Sequence, residues 1–151
     1  AAADGGLDHW VEGPAGSLAF LVVTDQFPRN MWRGSAKAFS TDAMALAAAR
    51  KAIAAGWDMD VPEPERQFFY LPFMHSEDLA VQEECIRLMD ERMPETGASN
   101  QLHARAHARI IRRFGRFPYR NDAFGRETTP EEREFLDNGG YAAIVETLKA
   151  G

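Results

Sequence analysis

Three polar blocks in the 151-residue chain combine residue types that suit acid–base chemistry and anion recognition. The first is Asp25, Gln26, Arg29, Asn30 and Arg33, which follows a strongly apolar stretch. Asp25 and Gln26 should therefore begin near the interior, where a carboxylate needs a partner and arginine is the usual one. The second block is His75, Ser76, Glu77 and Asp78, directly after Pro72-Phe73-Met74. The third carries His107, Arg109, Arg112, Arg113, Arg116, Arg120 and Asn121. If the three converge, the chain owns a polar cleft in which guanidinium forks hold a carboxylate or phosphate. Asp25 or His75 would then be the group that moves a proton. The competing reading is an internal network of Asp and Glu with Arg that fixes helix packing, because structural ion pairs draw on the same residues.

Other chemistries fit less well. His103 and His107 stand one helical turn apart, a spacing that two metal-bound imidazoles can use. Arg105 and Arg109 surround them with positive charge and no Glu follows His103, so no metal site is expected. Ser76 reads as a helix cap rather than a nucleophile. Gly5-Gly6 and Gly139-Gly140 lack the Lys-Ser/Thr or third glycine of a phosphate-cradling loop, and no cofactor is expected. The lone Cys85 lies in a helical pattern beside Leu88 and Met89 and reads as a small core residue.

Composition supports this picture. The net charge of -6 argues against general nucleic-acid affinity. It hides an uneven distribution: Gln101 to Arg126 holds seven arginines and one acid, Asp122, a local +6 that leaves -12 elsewhere. Arginines interleaved with Phe114, Phe117 and Tyr119 suit single-stranded nucleic acid, but the acidic remainder makes nucleic acid an unlikely partner. No apolar run approaches the roughly 20 residues of a membrane span. With no secretory signal and a single cysteine, a cytoplasmic location is expected.

The elements that must position these residues read as helices, in one domain over 1–151, with no convincing alternating strand. Ser40, Thr41 and Asp42 cap an alanine-rich helix that Gly56 stops. Pro62 and Pro64 open a helix through Leu71, which Pro72 should kink or end. Ser76 caps the next; Ser99 starts another that ends at Gly115; Thr129-Pro130 opens a short one; Tyr141 to Lys149 forms the last. Leu18 to Phe27 reads as a buried helix terminated by Pro28. The starts at Thr41 and Ser76 lie 35 residues apart, near the period of a helix–turn–helix repeat. Phe27-Pro28-Arg29-Asn30 is echoed by Phe117-Pro118-Tyr119-Arg120-Asn121, which suggests one job performed in two loops.

Four stretches resemble the bacterial domain-of-unknown-function 924 family, from about Gly6 to Leu136. They are Asp25-Gln26-Phe27-Pro28-Arg29-Asn30-Met31-Trp32-Arg33-Gly34, Tyr70-Leu71-Pro72-Phe73-Met74-His75-Ser76-Glu77-Asp78, the run from Arg112 to Asn121, and Gly125-Arg126-Glu127-Thr128-Thr129-Pro130-Glu131-Glu132. The resemblance implies an all-α fold, a tetratricopeptide-like α–α superhelix of stacked antiparallel helices, and no particular activity. It also implies that an aromatic-rich N-terminal segment usual in the family is missing here. The expected function is a binding module recognising an acidic peptide from a protein partner, or a small anionic ligand, through an Arg/Asn/His cleft. The alternative is an enzyme using that cleft for acid–base chemistry on an anionic metabolite.

Overall fold

Proline in a first helical turn costs little, because its missing N–H would lack a partner there anyway. Pro14 occupies that place in α1 (Pro14–Leu21). The computed structural model describes residues 1–151 and contains helices and helical turns but no strand. α1 passes through a π-helical turn, Val22–Gln26, into α2 (Phe27–Met31). Pro28 therefore does not terminate the helix, as its sequence context suggested. Pro28, four residues on from Thr24, has no N–H to offer, and the Thr41 hydroxyl donates to the Thr24 carbonyl at 2.6 Å. The wide turn, a form that accommodates one extra residue, keeps Thr24 and Asp25 inside the protein.

α3 (Asp42–Ala54) begins at Thr41 and is followed by Gly56, whose φ of 76° is the left-handed conformation that glycine tolerates. Ala45, Ala48, Ala49 and Ala52 form its buried face, and these methyl groups let α1 approach closely. A tight 3-10 turn at Trp57–Asp60 follows Gly56, and another at Glu65–Phe69 stands in place of the longer helix expected from Pro62 to Leu71. Pro72 itself lies in the first turn of α4 (Leu71–Met74). It opens that helix and does not end one.

α5 (Leu79–Arg92) is capped by Asp78, whose carboxylate accepts from the Ala80 N–H at 2.9 Å. Ser76, the expected cap, accepts two residues earlier, from the Asp78 N–H at 3.1 Å. α6 (Ala98–Phe114) turns Ala104, Ala108 and Ile111 inward and Arg105, Arg109 and Arg112 outward, then stops at Gly115. Short α7 (Asn121–Phe124), α8 (Pro130–Asp137) and α9 (Gly140–Ala150) complete the chain. A capping box starts α8: Thr129 and Glu132 satisfy each other's backbone N–H groups.

The main core gathers Phe20 and Leu21 of α1, the α3 alanines, Phe69, Tyr70, Phe73 and the inward side of α5. A smaller one joins Ile110, Ile111, Phe117 and Phe135. The polar blocks meet where the two adjoin, at the ends of α2, α4 and the turn before α7. No helix is long and apolar enough to cross a membrane.

Candidate functional site

Asp25 is 1% exposed, so its charge must be answered inside the protein. The π turn points it at the end of α4, where its Oδ1 accepts from His75 Nδ1 at 2.7 Å. Gln26 Nε2 donates to Oδ2 at 2.5 Å, and Arg29 Nη1 lies 3.3 Å from Oδ1. Burial pushes the Asp25 carboxyl upward, but His75, Arg29 and Gln26 outweigh it and hold the group below its ordinary value. The ionised carboxylate accepts, so His75 Nδ1 carries the proton and Nε2 is the nitrogen left for other partners. This is how carboxylates orient imidazoles that transfer protons.

His75 lines a cleft of about 340 Å³, walled by Phe39, Leu46, Pro72 and Phe124 and edged by Asp42, Glu77 and Arg120. Most of the polar groups there are already engaged. Arg29 forms a fork with both oxygens of Asp42 at 2.7 and 2.9 Å. Arg126 does the same with Glu77 at 2.9 and 3.2 Å. Glu77 also accepts from the Phe117 N–H at 2.6 Å, and burial, which would raise its carboxyl, is overcome by Arg126 and that N–H.

Arg120 differs. It is 8% exposed, has no carboxylate partner, and makes one hydrogen bond, Nη2 to the His75 carbonyl at 3.0 Å. A guanidinium has five N–H donors. Its plane lies between the rings of Phe39 and Phe117, 4.5 and 4.6 Å from their centroids. Burial, then the neighbouring charge of Arg29, lowers its pKa from the ordinary arginine value. Taking a charge out of water without a counter-ion is unfavourable. The protein tolerates it at the edge of an open cleft that His75 also lines.

The other anticipated residues divide sharply. His107 Nδ1 donates to the His103 carbonyl at 2.7 Å, and burial pulls its pKa down to about 4. His103 meets the Tyr141 hydroxyl, and nowhere do three or more metal-ligating side chains cluster. Arg116 pairs with buried Glu132, and Asn121 bonds Thr128 and Arg126. Both hold the loop in shape. Arg113 pairs with Glu131 on the surface, away from the cleft. Asn30 and Arg33 are exposed at the end of α2, bonded to Gln26 and to each other. Asp78 is a cap. Outward Arg105 and Arg112 pair with Asp90 and Glu83 of α5, which neutralises much of the arginine-rich helix.

The profile of a bacterial family described as a protein of unknown function (DUF924) matches residues 1–140. The chain belongs to that family. It is similar to a solved structure of a protein of unknown function from Agrobacterium tumefaciens, 47% identical, with a TM-score of 0.87. The match covers 92% of this chain and 77% of that one. No curated protein matches.

In this DUF924 member several cleft residues escape sequence reasoning. Asp42 looks like an ordinary helix-start acid, and Phe39, Leu46 and Phe124 look like core. Only the tertiary fold shows that Asp42 consumes Arg29 and so leaves Arg120 as the open cation. The repeated Phe-Pro motif was the available signal: its two arginines converge on one ring, 5.4 and 4.5 Å from Phe39. Their asparagines do not share a role, one being exposed and the other buried.

Proposed function

We propose that the chain binds a small anionic ligand in the cleft at Arg120. The observation that carries this reading is the buried guanidinium without a carboxylate, beside neighbours that each have one. An anion arriving there replaces lost hydration with charge-assisted hydrogen bonds, which are about twice as strong as neutral ones. The cleft's size, near the low end of the roughly 300–1,000 Å³ range of small-molecule sites, suits a small ligand or the terminal residue of an acidic peptide. We read α5 and α6, joined by the short Met93–Gly97 link, as one pair of a tetratricopeptide-like array that presents this surface.

Ligand capture from cell extract tests the reading. Wild type should retain an anionic compound, identified by mass spectrometry after release, that folded Arg120→Gln does not. Identical eluates from both proteins would remove Arg120 from the argument.

One observation favours a second reading, acid–base catalysis on the bound anion: the Asp25–His75 bond, which engages Nδ1 and leaves Nε2 without a protein partner on a residue that lines the cleft. Turnover screens with carboxylated and phosphorylated metabolites should then show an activity that His75→Ala loses. Equal activity in both proteins rejects catalysis by His75 and leaves binding intact.

A further inference from the structure

Charge and wall chemistry narrow the ligand beyond "anion". Around the cleft there are as many carboxylates, Asp25, Asp42 and Glu77, as guanidiniums, Arg29, Arg120 and Arg126. Only Arg120 has no carboxylate partner. A phosphomonoester carries about -1.5 to -2 charge near neutral pH and is usually met by several cations or a row of backbone N–H groups. Here the second negative oxygen would face Asp42 and Glu77 on the rim, and the nearby Phe117 N–H is already taken by Glu77. A carboxylate brings one charge spread over two oxygens, which a single planar fork matches. Besides Ser76, the remaining wall is carbon: Phe39 and Phe124, whose centroids are 5.2 Å apart, together with Ala43, Leu46 and Pro72. That surface stabilises an apolar body, and the rim carboxylates Asp42 and Glu77 repel a second acid.

We propose that the ligand class is a small monocarboxylic acid with an aryl or alkyl body, its carboxylate on Arg120 and its body against Phe39, Leu46, Pro72 and Phe124. This rests on the anion reading above, and the two fail differently.

The test is calorimetric titration of the folded protein with 3-phenylpropionate, its amide, acetate, phenyl phosphate and inorganic phosphate. The phenylpropionate should bind, with acetate and phenyl phosphate each weaker by about tenfold or more, and with no detectable binding of the amide. Arg120→Gln should abolish binding. Phe124→Ser, a change at an exposed rim residue, should weaken phenylpropionate by about fivefold and leave acetate unaltered. Tighter binding of either phosphate compound overturns the monocarboxylate class and leaves the anion site standing. Equal binding of the amide and the acid overturns both readings, as does binding of no anion at all.

Discussion

Replacing Thr41 with Val keeps the side chain's volume and removes the hydroxyl that donates to the Thr24 carbonyl at 2.6 Å. Both residues are buried, so no water substitutes. Leaving a buried carbonyl unpaired costs about 1–3 kcal/mol. For a domain of this length that lowers the melting temperature by roughly 2–4 °C per kcal/mol. The carbonyl is open in the first place because Pro28 has no N–H to give it. In a Pro28→Ala background, an N–H becomes available one turn along the helix, and Thr41→Val should therefore cost less. Denaturant unfolding of the wild type, both single variants and the double variant gives the coupling, expected at about 0.5–2 kcal/mol in the direction of rescue. Additivity within about 0.5 kcal/mol would falsify the claim that hydroxyl and proline are two halves of one arrangement.

Two pH effects follow from the same buried groups. Bonds from Arg116, Thr129 and Asn121 hold Glu132 at about 2, against an ordinary 4.5. Because the folded value is the lower one, its stabilisation is complete above pH 4.5 and fades as the pH drops toward 2. The stability gap between wild type and Glu132→Gln, measured by urea unfolding, should shrink over that window; a constant gap would refute the assignment. Burial keeps His107 neutral, with its pKa near 4 rather than 6.5, so protonation favours the unfolded chain and stability declines as the pH drops from 6.5 toward 4. Imidazole resonances should place the His107 midpoint close to 4, and a midpoint near 6.5 would mean the ring is not sequestered.

Helix starts and stops were largely legible in the sequence, because caps and glycines act locally. Gly56, Gly115 and the Thr129 box stand where their chemistry indicates, whereas Thr41 precedes α3 without capping it, its hydroxyl being engaged by the Thr24 carbonyl. The prolines were misread at Pro28 and Pro72 for one reason: a missing N–H is harmless wherever the chain begins a new turn or another donor serves the freed oxygen. That donor, Thr41, is distant in sequence. The site was half visible. Buried Asp25 and an arginine partner follow from the apolar run before them, but which arginine remains open depends on pairings such as Arg29 with Asp42 and Arg126 with Glu77. Those pairings join elements far apart along the chain, and local patterning carries no record of them.

The alanine side of α3 has a further meaning for the family. Asp42 and Leu46 project from the same helix whose adjoining, buried side is Ala45, Ala48, Ala49 and Ala52. Side chains this small set how closely α3 packs on α1, and hence how wide the cleft beside Asp42 and Leu46 opens. Members that keep methyl groups at these places should keep the same aperture whatever lines it. Valine or leucine there should shift α3 and reshape the cleft, without any change in the residues that line it.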